Sequence, residues 1–224
     1  MGGLWEDGRM ADTAPGRETL RVRFELELSV PPIWRTLDLG SSMSLDRVHD
    51  VVQAAFGWED AHLHRFTDRD PYERLRPVDG EVDWPLQWLP RDLVEDPEDR
   101  PEEELDLGTL LAQGAGTAFY EYDFGDSWLL RMQLLESRPV PAAGPAASVV
   151  DGARRGPLED SGGVPGYEEL LEVLADPDDH EHAESREWVA EMTGTDDPYD
   201  PEEFDTEDLN RKVAAALEER ASAG

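Results

Sequence analysis

The feature that most constrains the fold is a strict two-residue alternation of apolar and charged side chains over residues 21–28. Successive side chains of a strand point to opposite faces, so this period indicates a strand with one face in a core. Pro31-Pro32 ends the pattern, because proline has no amide hydrogen to give to a sheet ladder. The period resumes over residues 33–39, which predicts a second strand or a bent continuation of the first.

A hairpin is predicted around Gly125-Asp126, where strand-like segments over residues 118–124 and 127–136 flank a turn. The hairpin is expected at the centre of the sheet. The preceding residues 68–104 are rich in proline and acidic side chains, and they predict a long loop whose path the sequence does not define.

Helical periodicity is clearest over residues 45–56, with Ser44 as the predicted N-cap and Gly57 as the C-terminal glycine. A short helix is also predicted near residues 105–113. Three further helices are predicted toward the C-terminus, marked by apolar residues from Tyr167 to Leu174, from Trp188 to Met192 and from Leu209 to Leu217, the last with Thr206 as N-cap.

These elements together predict an α+β fold: a mainly antiparallel sheet with packed helices and a helical C-terminal part. Residues 1–17 lack periodicity and are predicted to be a disordered tail, followed by a single domain over 18–221. That domain is divided into a strand-rich part over 18–136, a Pro/Ala-rich connector over 137–150 and an acidic helical part over 151–221.

The charge of the chain restricts its partners. There are 20 basic and 53 acidic side chains, a formal net charge of −33 at pH 7, and most of the excess lies after residue 80. A surface of this sign repels phosphate, so nucleic-acid binding and adhesion to anionic membrane are not expected. The acidic runs over 92–106 and 196–208 fit a basic protein partner or a mimic of nucleic acid, and equally a solvated surface.

The chain has no cysteine, which excludes disulfides, thiol catalysis and thiolate metal sites. Any metal must therefore be bound by histidine or carboxylate. The N-terminal residues lack a secretion signal and no run of about 18 apolar residues occurs, so a cytoplasmic protein without a membrane segment is expected.

His62 and His64 form the main candidate site. On a strand their imidazoles would point to the same side and could share one divalent metal ion. Asp123 and Asp126, around the hairpin turn, would supply the third and fourth ligands of a site for Mn, Fe or Zn. The alternative is that these residues are structural. The two histidines would then lie on a strand near a sheet edge, and the two aspartates would accept hydrogen bonds from turn amides, with Gly125 at a positive φ.

Four segments carry a resemblance to a known family. They are residues 31–35 (PPIWR), 54–66 (AAFGWEDAHLHRF), 120–128 (YEYDFGDSW) and 151–167, which contains PLEDSGG. Across roughly residues 20 to 215 the chain resembles the plasmid pRiA4b ORF-3-like family, whose members are also described as passenger proteins of an insertion element.

The resemblance implies an α+β domain found on plasmids and mobile elements, without an established activity. Relatives usually carry a histidine where this chain has Leu130 and cysteines where it has Val149, Gly156 and Ser161. The remaining motif residues are therefore expected to be structural, with Phe124 and Trp128 in the core and the glycines and aspartates in turns. This structural set is Trp58, Phe124, Gly125, Trp128, Asp160, Gly162 and Gly163.

Two functional hypotheses follow. The first is a non-enzymatic accessory or interaction module associated with mobile elements, which needs no cofactor and binds an unknown and basic protein partner. The second is a metal-dependent hydrolase that acts on phosphoryl substrates, with His62, His64, Asp123 and Asp126 as ligands of a divalent metal.

Overall fold

Eight strands form one sheet in the computed structural model, which describes residues 18–73, 83–97, 99–139 and 145–223. The strands are β1 (Glu18–Leu26), β2 (Trp34–Gly40), β3 (His64–Thr67), β4 (Gln87–Leu89), β5 (Arg100–Pro101), β6 (Thr117–Tyr122), β7 (Trp128–Pro139) and β8 (Ala147–Ala153). Their order in the sheet is β5-β4-β3-β6-β7-β1-β2-β8, and every pair is antiparallel except β4 with β5. The helices are α1 (Leu45–Phe56), α2 (Leu107–Gln113), α3 (Gly163–Ala175), α4 (His182–Thr193) and α5 (Thr206–Ala223).

The predicted α+β class is confirmed, and the predicted hairpin is at the centre of the sheet as β6 and β7. The alternation of residues 21–28 forms β1, whose apolar side chains are buried as far as Leu26. The alternation does not extend to Leu28, which is 83% exposed and has a φ of 68° in the turn to β2. The predicted tail, residues 1–17, lies outside the described residues.

Helix α1 begins and ends where the sequence predicts, and Gly57 adopts the left-handed conformation with a φ of 81°. The Ser44 side chain makes no capping hydrogen bond, so its predicted role as a cap is not observed. Helix α5 likewise begins at Thr206, but the carboxylate of Asp205 accepts the amides of Glu207 and Asp208 and is the actual cap.

One core is formed by the inward side chains of the sheet together with those of α1 and α2, and it also receives Tyr167 of α3 and Val213 of α5. Arg35 of β2 lies in this core and donates to the carbonyl oxygens of Ala55, Trp34 and Ala153 at 2.8 to 3.0 Å. Burial lowers the pKa of Arg35 to about 10. This cation therefore links the end of α1 to β2 and β8.

Strands occupy both ends of the predicted connector over 137–150. Strand β7 continues to Pro139, and β8 begins at Ala147 and pairs with β2. The side chain of Asn210 in α5 closes the outer edge of β8: its amide oxygen accepts the Val149 N–H at 2.9 Å and its amide nitrogen donates to the Val149 carbonyl at 3.0 Å.

The sequence did not define the path of residues 68–104. Where the structure describes this segment, the chain forms β4, β5 and the 3-10 turns Arg91–Leu93 and Glu102–Glu104. Trp88 of β4 is buried, whereas Trp84 is exposed. Among the helices of the described residues, none combines the length and the apolar character needed to cross a membrane.

Candidate functional site

Three of the motif segments meet at one end of the central strands, around the hydroxyl of Tyr122. This hydroxyl donates to the buried carboxylate of Glu159 and accepts the backbone amides of Ala61 at 2.9 Å and His62 at 3.3 Å. The second carboxylate oxygen of Glu159 accepts the Glu59 amide at 3.2 Å. Burial and the hydrogen bond to Glu159 raise the pKa of Tyr122, so the hydroxyl keeps its proton and ties the three segments together.

The turn between β6 and β7 has its geometry set by Asp123. One carboxylate oxygen, Oδ1, accepts the amides of Gly125 at 2.9 Å and Asp126 at 3.3 Å, as the structural alternative expected. The left-handed residues of this turn are Asp123, with a φ of 57°, and Ser127, with a φ of 55°. The expectation of a positive φ at Gly125 is therefore wrong, because the aspartate side chain stabilises the strained position itself.

The aromatic residues of the motifs differ in burial. Trp128 is fully buried, and Trp58 is buried with its indole N–H donating to the Pro157 carbonyl at 3.0 Å. Phe124 is 43% exposed and lies under the guanidinium of Arg65, so its expected place in the core is wrong.

The loop that precedes α3 is held against this turn. The carboxylate of Asp126 accepts the Gly162 amide at 3.1 Å. A Cβ at Gly163 would lie 2.5 Å from the Asp126 carbonyl oxygen, and both glycines have positive φ, so glycine is required for this close approach. The adjacent Asp160 is also left-handed, with a φ of 58°.

His62 lies between two carboxylates at this junction. Its Nε2 atom is 3.2 Å from Asp160 Oδ1 and 3.8 Å from Asp123 Oδ2. The nitrogen is sealed from solvent and makes no hydrogen bond to any residue that the structure describes. The three candidate ligand atoms lie within 4.8 Å of one another. They form the cluster that we call the His62 site.

His64 belongs to a different cluster. Its Nε2 atom is 2.8 Å from a carboxylate oxygen of Glu102, and its ring stacks on that of His49 with 3.6 Å between centroids and 12° between planes. Of the four ligands that the sequence suggested, the structure thus brings His62 and Asp123 together, adds Asp160, and places His64 and Asp126 elsewhere.

The stacked pair was missed by sequence reasoning, because His49 lies among the apolar positions of α1 and carries no motif of its own. Its Nδ1 atom is 2.8 Å from the Tyr120 hydroxyl, which also accepts the Gln53 amide, and its Nε2 atom is 3.0 Å from Asp60. The Tyr120 hydroxyl then donates to Nδ1, and Nε2–H donates to Asp60, which describes a neutral imidazole.

Although His49, Asp60 and His64 have ligand atoms close enough to suit a metal, their rings do not. A metal ion lies in the plane of each imidazole that binds it, at about 2.0 to 2.1 Å from the nitrogen. Two nearly parallel rings stacked at 3.6 Å cannot both meet that condition for one ion. We therefore interpret this cluster as a buried hydrogen-bonded element of the core.

We expect this cluster to make stability depend on pH, because burial lowers the pKa of His49. The unfolded chain then takes up a proton more readily than the folded one, so the free energy of unfolding should fall as the pH decreases below about 6.5. Urea unfolding between neutral and mildly acidic pH measures this slope. The slope should be shallower in His49→Asn and unchanged in His180→Asn, whose histidine side chain is 86% exposed. Equal slopes in wild type and His49→Asn would contradict the assignment.

A pocket of about 390 Å³ opens beside the His62 site, between the loop at Asp160 and the start of α4. Its lining combines the apolar side chains of Leu170 and Trp188 with three carboxylates. The lining residues are Asp160, Ser161, Leu170, Glu181, Glu184, Ser185 and Trp188. We call it the acidic pocket. None of its lining residues belongs to the acidic runs 92–106 and 196–208.

Comparisons with known proteins agree with the resemblance in the motifs. The family model described as "Plasmid pRiA4b ORF-3-like protein" matches residues 18–208. The chain is 32% identical over 195 residues to "Uncharacterized protein y4hQ" of Sinorhizobium fredii, covering 87% of this chain and 90% of that one. It also resembles the crystal structure of a protein of unknown function, MM3350 from Methanosarcina mazei Go1. That match has a TM-score of 0.70 and 28% identity, and covers 86% of this chain and 98% of the other.

Proposed function

Since the chain belongs to the plasmid pRiA4b ORF-3-like family, and the relatives described above carry no assigned activity, we propose a function from its own surface. The protein acts as an accessory module that binds a basic segment of a protein partner in the acidic pocket. The observation that carries this proposal is that Asp160, Glu181 and Glu184 line one pocket together with Trp188.

The chemistry of the pocket fits an arginine side chain. A guanidinium stacks on the face of an indole and donates to carboxylates in a planar fork, two interactions that this pocket offers together. The apolar side chains of Leu170 and Trp188 in the lining would cover the aliphatic part of the same side chain. A volume of about 390 Å³ accommodates one or two such side chains rather than a folded domain.

The net charge supports the same class of partner. A chain of charge −33 attracts basic proteins over long range and accelerates their association, while it repels nucleic acid. Proteins that bind DNA carry Lys/Arg-rich segments of the required kind. A role beside the proteins of a mobile element is part of this proposal, and its support is the plasmid in the family's description.

Binding of a fluorescein-labelled arginine-rich peptide, followed by anisotropy in buffer containing EDTA, tests the proposal. We expect Trp188→Ala and Glu184→Gln each to raise the Kd about fivefold or more, since a desolvated cation–π contact and a charged hydrogen bond are each worth about 1 to 2 kcal/mol. Glu219→Gln in α5 makes the same change of charge at an exposed position outside the pocket and should alter the Kd less than about twofold. Equal effects of Glu184→Gln and Glu219→Gln, with no effect of Trp188→Ala, would indicate diffuse attraction and contradict a specific pocket.

The alternative, a metal-dependent hydrolase of phosphoryl substrates, would now use His62, Asp123 and Asp160. The acidic surroundings of this cluster oppose it, because a phosphoryl substrate would approach several carboxylates and a strongly negative field. Hydrolysis of p-nitrophenyl phosphate with Mn²⁺, abolished in His62→Ala, would favour the hydrolase over the interaction module.

A further inference from the structure

We propose that the His62 site binds one divalent cation of the Mn²⁺ or Zn²⁺ class and that this ion fastens three loops of the fold to one another. The ligands are His62 Nε2, Asp123 Oδ2 and Asp160 Oδ1. The proposal does not depend on a basic partner.

The two distances from His62 Nε2 to the carboxylate oxygens are near those that a metal requires. Bonds of about 2.0 to 2.2 Å at tetrahedral or octahedral angles separate neighbouring ligand atoms by about 3.0 to 3.5 Å. Nε2 of His62 is 3.2 Å from the Asp160 oxygen and 3.8 Å from the Asp123 oxygen. A contraction of a few tenths of an ångström at Asp123 brings both into the range.

The hydrogen bonding of His62 points to a ligand rather than to a simple ion pair. A protonated imidazole between two carboxylates would aim its N–H at one of them, yet Nε2 forms no hydrogen bond with either, and it is sealed from solvent. A buried polar atom without a partner is costly. An ion placed between the three atoms would satisfy the nitrogen lone pair and both carboxylate oxygens at once.

The surroundings hold the ligands in place. Oδ1 of Asp123 is engaged by two turn amides, which leaves Oδ2 directed at the site, and the backbone amide of His62 is held by the Tyr122 hydroxyl. Such outer contacts orient ligands in metal sites. The Asp160 side chain is 63% exposed, so an ion can enter from its side and keep water on its remaining positions. One nitrogen and two carboxylate oxygens suit Mn²⁺ or Zn²⁺.

Titration calorimetry with MnCl₂ and ZnCl₂ on the full chain, after dialysis against EDTA, tests the proposal. We expect about one equivalent of metal to bind and to raise the melting temperature. His62→Ala, Asp123→Asn and Asp160→Asn should each weaken binding at least about tenfold. Circular dichroism checks that each variant is folded. Asp160→Asn is the variant most certain to fold, because the Asp160 side chain is 63% exposed, so it tests binding even if the other two variants do not fold.

His180→Ala is the matched control, since His180 also lies within 3.6 Å of two carboxylates but is on the surface. It should bind as wild type does. Stoichiometry far below one equivalent, or a folded Asp160→Asn that binds like wild type, would overturn the site. Asp123 does not line the acidic pocket and Glu184 does not belong to the His62 site, so failure of this proposal and failure of the basic-partner proposal are distinguishable.

Discussion

Replacing Tyr122 by phenylalanine should lower the free energy of unfolding by about 3 kcal/mol, because one buried hydroxyl serves three partners. Its loss removes the donor to the Glu159 carboxylate, which is buried and charged, and leaves the amides of Ala61 and His62 without their acceptor. Unsatisfied buried groups cost about 1 to 3 kcal/mol each, and more when charged, although water entering at His62 would offset part of the sum. Urea unfolding at neutral pH measures the change.

Tyr72→Phe is the matched control for this substitution. The Tyr72 hydroxyl also binds a carboxylate, that of Glu121, but Tyr72 is 55% exposed and the buried Glu121 carboxylate keeps its ion pair with Arg65 at 2.7 Å when the hydroxyl is removed. We expect a change below about 1 kcal/mol for this variant. If Tyr122→Phe proved equally mild, the hydroxyl would not be what holds the three motif segments together.

Gly156→Ala should be at least as damaging, with a loss of about 3 kcal/mol or more or a failure to accumulate as folded protein. A Cβ at this position would lie far inside van der Waals contact with the carbonyl oxygen of Phe56, at the end of α1. That obstacle is backbone in a buried helix end, so it cannot rotate away as a side chain would.

Gly40→Ala provides the comparison, because a Cβ there meets nothing within 4 Å. Its melting temperature should stay close to that of wild type, whereas that of Gly156→Ala should fall by several degrees at least. A Gly156→Ala protein as stable as Gly40→Ala would show that the loop after β8 can withdraw from α1.

The fold was predictable wherever the spacing of apolar residues along a short segment shows which side of that segment is buried. The alternation in β1 and the helical spacing in α1 each reflect one side facing the core, and both elements form where that spacing occurs. Strand β8 was not predictable, because its short Ala- and Val-containing segment adjoins a Pro/Ala-rich stretch and owes its conformation to pairing with β2 and contact with Asn210. Such support is tertiary and leaves no pattern in the sequence.

The candidate site was predictable in part for a similar reason. His62 and Asp123 meet because β3 and β6 pair with His64 opposite Tyr122, so that the residues just outside the two strands are neighbours. The side chains of His62 and His64 point to different clusters because β3 begins only at His64. The rule that residues two apart share a face holds only inside a strand. Asp160 was not predictable as a ligand, because its loop lies 98 residues after His62 and 37 after Asp123 in the sequence. This loop reaches the site through the contacts of Tyr122 and Asp126.

The contact between Asn210 and Val149 also bears on how copies of this protein meet in a concentrated solution. An open edge strand offers its amides and carbonyls to the next molecule and can seed fibres. At one edge of the sheet, the side-chain amide of Asn210 makes the hydrogen bonds that a neighbouring strand would make to Val149. The other edge strand is β5, which has only two residues and ends in a proline that cannot donate a hydrogen bond. Within the described residues, the edge of β8 is occupied at Val149 and β5 is too short to act as a template, which limits the pairing of this sheet with another copy of the protein.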